Sequence, residues 1–431
     1  MLTARYARDH LKEIRESMGR RKSDYPIDEL LKLDDESKKI STEAQQLRAQ
    51  RNRGSLEVAK LKKEGKEAAS EVKMLSEVKK RIEEIEAQLP KYQKRIDMLL
   101  WNMPNILDKS VPYGKDETEN VEIRRHGTPP SKKPRIGHEE ALAKLGLIDI
   151  EQAAKVAGAR FFYLKGDIAL LEQALIRFAI TELTKKGYML VAPPMMMRRE
   201  YYRGVTALAD FQEMLYKVGE SDEAMSAKGN EHIDEELFMI GTSEHPICAM
   251  HANYVFSAKE LPKKYVGFSP CFRREAGAHG KDTKGLFRVH QFYKVEQFVY
   301  TAQDSWGIFE ELMSNAEELF RKLKIPYRIV NICTGDIGTV AAKKYDLEAW
   351  MPVQDAYREM VSCSNCTDWQ SLRLDIRYDE GGERRYVHTL NSTAIATNRA
   401  IVAIVENYLN DDGSITVPDV LVPYMGKDRI A

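Results

Sequence analysis

From Leu33 to Leu99, small and apolar residues recur at intervals of three and four, aromatics are scarce and charges are dense. That pattern admits little besides long paired helices. The first seam runs Leu33, Ser37, Ile40, Ala44, Leu47, Arg51, Gly54, Val58, Leu61. The second runs Ala69, Val72, Leu75, Val78, Ile82, Ile85, Leu89, Tyr92, Ile96, Leu99, with one break in rhythm at Val78. An antiparallel pair needs arms of similar length. Pro26 and Pro104 each lie 39 residues from Gly65, whereas a turn at Gly54 would leave unequal arms, so the reversal is predicted at Lys63 to Lys66. Helices of about 35 residues, rising ~1.5 Å each, make an arm of roughly 50 Å, longer than a globular helix pair needs. Pro90 falls inside the second helix and is expected to kink it. Around the tip, Arg48, Arg51, Arg53, Lys60, Lys62, Lys63 and Lys66 face only Glu57, Glu64 and Glu67. Such a surplus suits a phosphate backbone; the plainer alternative is a structural or dimerising coiled coil with solvated faces.

These readings divide the chain into an arm domain over residues 1–110, a proline-rich linker over 111–136 and a globular domain over 137–431. Leu170 to Lys185 is an apolar-periodic helix stopped by Gly187. It feeds the strand YMLVAPP, which ends at Pro193 and Pro194 and is a candidate dimer edge. Phe272 to Glu296 reads as strand, glycine-punctuated loop and strand, with six cations against three anions. A hairpin so basic fits phosphate, and arginine serves this better than lysine because its planar fork grips two oxygens at once.

Charge and cysteine content narrow the class. Lys plus Arg and Asp plus Glu both number 66, so nucleic-acid binding must come from local patches. Five cysteines in 431 residues are not a disulfide framework. Cys363 and Cys366 form a CxxC without a second pair at ligand spacing, which argues against zinc. No secretory leader or apolar run of about 20 residues occurs, and a cytoplasmic protein without membrane contact is expected. Neither GxxxxGK[ST] nor GxGxxG is present.

Three further stretches complete the constellation: GTSEHPICAM from Gly241, with Thr242 and Glu244 ahead of a helical run; REMVSCSNCTDW from Arg358, with Glu359 and Ser362; and HTLNSTAIATNRAIVAIVENY from His388, a strand rising into a helix. Taken singly they read as a cap, a strand-end turn and a core helix. Together, with Pro193 and Pro194, Phe272 to Glu296 and Asn391 to Tyr408 standing where three signature motifs belong, the chain resembles the class II aminoacyl-tRNA synthetases. It is most similar to seryl-tRNA synthetases of archaeal type, over essentially its whole length.

The resemblance implies an α+β fold: the helical arm plus a catalytic domain on a six-stranded antiparallel sheet flanked by helices. It implies a ligase that activates L-serine with ATP and passes it to tRNA(Ser), with tRNA(Sec) a second candidate, working as a homodimer with Mg²⁺ and without zinc. Arg273 looks like the arginine on the α-phosphate and serine carboxylate, Arg399 like that on the γ-phosphate, and Arg288 like an aid to the bent triphosphate. Phe292 resembles the ring under adenine, and Glu275 the glutamate near adenine or the tRNA end. Glu359 and Ser362 match the Mg²⁺ positions. Thr242, Glu244, Glu296, Asn391 and Thr393 match the serine pocket, with Arg273 shared. The loop Ala276 to Lys284 would meet the acceptor end. Glu220 to Glu236 looks like an insertion without a role.

Overall fold

The computed structural model describes residues 3–131, 133–207, 214–219, 236–275 and 285–431. It divides into two units, Leu2–Pro104 and Asn105–Ala431.

In the first unit, helices α1 (Ile27–Lys63) and α2 (Ala69–Asn102) pack along their lengths. Asp28 and Glu29 in the first turn of α1, and Lys60, Lys62 and Lys63 in its last, complement the helix dipole. The chain reverses between Lys63 and Ala69, with Gly65 at φ +69°, as the sequence predicts. The seam differs near the tip. Ala68 is buried and Glu71 half-buried, while Ala69 and Val72 face solvent. The true sequence of positions is therefore Ala68, Glu71, Leu75, Val78, Ile82, an unbroken three–four rhythm. The break at Val78 arose from placing two positions one residue late: Ala68 and Ala69 are identical, and Val72 is more apolar than Glu71. Arg51, also assigned to the seam, is exposed. At Gly54 the helices come so close that a Cβ would meet Leu75 Cδ2 at 2.8 Å. Arg95–Glu29 at 2.7 Å, Arg81–Glu43 at 2.7 Å and Arg48–Glu86 at 2.5 Å cross between the helices. Exposed pairs of this kind are worth only ~0–1 kcal/mol each, so they select register more than they add stability. The Glu86 pair also removes Arg48 from the free tip cations. Pro90 is accommodated within α2 on its exposed side, where the carbonyl deprived of a donor can reach water.

The second unit is built on one eight-stranded sheet. Its strands are β1 (Val121–His126), β2 (Met189–Val191), β3 (Lys263–Phe272), β4 (Gln291–Thr301), β5 (Tyr327–Asn331), β6 (Lys343–Met351), β7 (Ala356–Asn365) and β8 (His388–Ala396), in the order β1-β5-β6-β7-β8-β4-β3-β2. The expected six antiparallel strands are the central ones. β1 adds an antiparallel edge beside β5, and β2 a parallel edge beside β3.

The stretch read as a linker belongs to this body. Leu107 and Val111 share a core with Val330, Ile332, Ile337 and Ala341, and Asn105 donates to the carbonyls of Val340 (2.9 Å) and Cys366 (2.8 Å). Its prolines punctuate an extended path over the surface, which composition alone cannot distinguish from a free connection. The two compact units meet between Pro104 and Asn105.

Helices α3 (Gly166–Lys185), α5 (Trp306–Lys322) and α6 (Thr397–Tyr408) bury their apolar stripes, including Leu171, Phe309 and Ile401, against one sheet face with Val295, Val361 and Leu390. That packing leaves the opposite face for the site. At the edge, Met189 and Leu190 of β2 are 63% and 49% exposed. Among the described residues no helix is long and apolar enough to cross a membrane.

Candidate active site

Strand alternation assembles the site. On β4, Phe292, Lys294 and Glu296 share a side. Glu296 stands opposite Gly267 of β3 and Thr393 of β8, a bulge between Val295 and Glu296 setting the latter register. Ser362 and Ser364 of β7 join Asn391 and Thr393 of β8 on the same face. Helix α4 (Glu244–Ala249) lies close to β3: a Cβ at Gly267 would meet Ser243 Oγ at 2.6 Å. Only glycine allows the polar turn carrying Thr242 and Glu244 to settle there. The result is a cavity of about 340 Å³ lined by Thr242, Glu244, Arg273, Glu275, Arg288, Phe292, Glu296, Glu359, Ser362, Asn391, Thr393 and Arg399. Every candidate named from the sequence reaches it.

One end of the cavity is acidic and amide-rich. Glu296 is buried with its oxygen 2.5 Å from Lys294 Nζ, and Thr393 donates to it at 3.3 Å. Burial pushes this carboxyl above its usual range, opposed by Lys294. Glu244 accepts from Asn391 Nδ2 at 3.1 Å and Gln370 Nε2 at 3.4 Å, while its own N–H donates to Thr242 Oγ1 at 3.2 Å. Burial first, then the nearby Glu296, pushes Glu244 up to about 7. This end thus holds two buried carboxyls, Glu296 against Lys294 and Glu244 among amides, both pushed toward the protonated form by burial. His245 is pushed down to about 3 by burial beside Arg273 and Lys294, and stays neutral.

The Glu244 shift carries a stability prediction. Its folded-state value lies above that of an unfolded glutamate, so the group's stabilising contribution is present below about pH 4.5 and is lost as pH rises through about 7. The loss is on the order of 3 kcal/mol. Glu244→Gln, which cannot ionise, is expected to flatten the decline in denaturant-unfolding stability between pH 5 and pH 8. Equal pH slopes for variant and parent would show that Glu244 titrates normally.

The other end is cationic. Arg399, on the first turn of α6, donates to the Glu359 carbonyl at 2.9 Å and stands 3.3 Å from its carboxylate. The Arg399 guanidinium holds Glu359, whose side chain is 43% exposed, well below the usual carboxylate range. Phe287 lies under both Arg399 (5.1 Å) and Arg358 (5.2 Å), and Phe292 under Arg273 (5.4 Å). Arg273 Nε donates to the Gly241 carbonyl at 3.2 Å. Arg288 meets Glu275 at 3.2 Å; Glu275 itself is in the left-handed region at φ +47°, its carbonyl accepting from Arg160 at 3.0 Å. Residues Ala276 to Lys284, and most of the insertion-like stretch from Glu220, lie outside the described residues.

Several cavity residues had no role assigned from the sequence: Lys294, Phe287, Lys344, Cys366 and Asn398. Lys294 was legible, since it sits two residues from both Phe292 and Glu296 on a strand. Cys366 was not. Its partner in the CxxC, Cys363, belongs to the helix-side core, whereas Cys366 lines the cavity and receives Asn391 Nδ2 at 3.7 Å. Two thiols so divided do not act as one ligand pair.

Sequence comparison meets this geometry at both units. A family described as Seryl-tRNA synthetase N-terminal domain matches residues 1–107, and one described as tRNA synthetase class II core domain (G, H, P, S and T) matches residues 225–408. A protein named serine–tRNA ligase from Methanoculleus marisnigri is 48% identical over 433 residues, covering 99% of each chain. The chain belongs to the seryl-tRNA synthetase family. A crystal structure of the family member from Pyrococcus horikoshii, complexed with ATP, is 45% identical, with a TM-score of 0.86 over 100% of this chain and 99% of the other. The cytoplasmic serine–tRNA ligase of Naegleria fowleri, solved with AMP, is 38% identical, with a TM-score of 0.80 over 97% and 95%.

Proposed function

We propose that this chain is a serine–tRNA ligase whose cavity joins serine to ATP at its centre, with the triphosphate at the cationic end and the amino acid at the acidic end. The observation that carries this is the convergence of twelve residues, from stretches spread between Thr242 and Arg399, on one cavity polarised in that sense. Both ligands it must hold differ in charge, and the lining differs in the same way.

A serine carboxylate oxygen attacks the α-phosphorus and pyrophosphate departs, a displacement that needs alignment and charge neutralisation more than an acid or base. Arg273 lies between the two ends and is assigned to both the carboxylate and the α-phosphate. Arg288 and Arg399 take the outer phosphates, and Phe292 offers its face to adenine. Glu296 receives the serine ammonium; Thr242, Glu244, Asn391 and Thr393 read its hydroxyl. A substrate lacking that hydroxyl leaves these buried groups unpaired, which discriminates strongly. Ionised Glu359 and the Ser362 hydroxyl fit a hard cation that uses few protein ligands and completes its shell with water and phosphate. They would hold Mg²⁺, which when bound neutralises charge on the triphosphate.

In the second step the terminal hydroxyl of tRNA attacks the mixed anhydride and displaces AMP. The arm is assigned to tRNA(Ser), with tRNA(Sec) a second substrate to be tried, the cytoplasm to its place of action, and the exposed β2 edge with Met189 and Leu190 to a homodimer contact. Amino-acid-dependent ATP–pyrophosphate exchange, run with all twenty amino acids and no tRNA, tests the reading. Exchange with serine alone is expected; exchange with another amino acid keeps the fold and overturns the substrate.

A further inference from the structure

We infer that His138 and Glu406 are positioning residues for the ATP end, fixing the returning limb of the basic hairpin from outside the cavity. This rests on the ligase reading above and adds to it two residues that touch no substrate position.

The geometry is a two-sided clamp on one peptide. His138 Nδ1 lies 2.8 Å from Glu406 Oε1, and its other nitrogen, Nε2, accepts the Leu286 N–H at 3.4 Å. Glu406 is buried in α6, and its second oxygen accepts the Val353 N–H at 3.3 Å. A carboxylate on one side and a donor N–H on the other fix the tautomer: Nδ1 carries the proton and Nε2 the lone pair. From the opposite side, Asn398 Nδ2 donates to the carbonyls of Leu286 (2.8 Å) and Phe287 (3.3 Å). Immediately before, Gly285 is at φ +72° and passes so close to Nε2 that any Cβ there would collide with the ring. Gly285 and Leu286 are therefore seated against His138.

The next two residues along the chain belong to the phosphate machinery. Phe287 is the surface on which Arg358 and Arg399 rest, and Arg288 pairs with Glu275. Freeing Leu286 lets both drift, and a displacement on the order of 1 Å can cost about 100-fold in rate. Apart from Arg273, which both ends share and which meets the limb only at His290, the serine end is built on β4, β8 and α4, away from Leu286.

The test is serine-dependent ATP–pyrophosphate exchange by the full chain, with KM measured for ATP and serine separately. Parent activity with serine decides the ligase reading by itself; the variants decide the clamp. His138→Ala is expected to raise the ATP KM and lower kcat, together about tenfold or more in kcat/KM for ATP, with the serine KM within about twofold. His138→Gln, whose amide offers an acceptor and a donor, is expected to recover most of that loss. If His138→Ala does not fold, the His138→Gln profile against parent is read instead, and a serine-selective defect overturns the clamp. An unchanged ATP KM and kcat in folded His138→Ala, an equal KM defect for both substrates, or no recovery by glutamine also overturns it.

Discussion

Arg399→Ala is expected to cut adenylate formation on the order of 1,000-fold, the scale on which a single arginine stabilises phosphoryl-transfer charge. Two losses compound. The guanidinium proposed for the outer phosphates disappears, and Glu359 loses its nearest cation. Without its nearest cation the Glu359 carboxyl is easier to protonate, which weakens the site proposed for Mg²⁺. Lysine at this position should recover little, since an ammonium cannot donate to the Glu359 carbonyl, lie over Phe287 and present a second edge to phosphate together. Pyrophosphate exchange and tRNA affinity are measured on the same preparation. Exchange within about threefold of the parent would remove Arg399 from the chemistry; parallel loss of tRNA affinity would show damage to the fold.

Period and motif encode some parts of this arrangement and leave others silent. The arm was legible because a seam repeats for sixty residues, and the turn because equal arms leave one place for it. The local choice between Ala68 and Ala69, or Glu71 and Val72, was misread, because two identical alanines give no preference and hydrophobicity ranks Val72 above Glu71, while geometry buries the first of each pair. The candidate residues that line the cavity were named through resemblance to the family's motifs, which run along a strand, a strand–loop–strand hairpin or a strand–helix junction. His138 and Glu406 were silent: 268 residues separate them, and a histidine opening a short helix carries no local signal. The same holds for β1, whose six exposed residues give no alternation to read, and whose place beside β5 rests on strand pairing and on ion pairs such as Arg124–Glu317.

Shortening the arm is expected to separate the two half-reactions. Joining Ser37 to Tyr92 through a short glycine linker removes the tip and its cations while keeping Leu30, Ile96 and Leu99 at the base, all of them buried. The cavity draws every lining residue from Met214 onward and every element of its sheet from the second unit, so serine-dependent exchange should stay within about twofold. Aminoacylation should fall by about 100-fold or more, chiefly through the KM for tRNA, because phosphate contacts are individually modest and collectively large. Their electrostatic character gives an independent check: the parent's tRNA affinity should decline linearly in log–log terms with salt, and the shortened chain should show a shallower slope. Neutralising only Arg53, Lys60, Lys62 and Lys63, with the helices intact, should reproduce part of the loss and part of the slope change. Full charging by the shortened chain would mean that the arm is a structural coiled coil and that tRNA is read elsewhere.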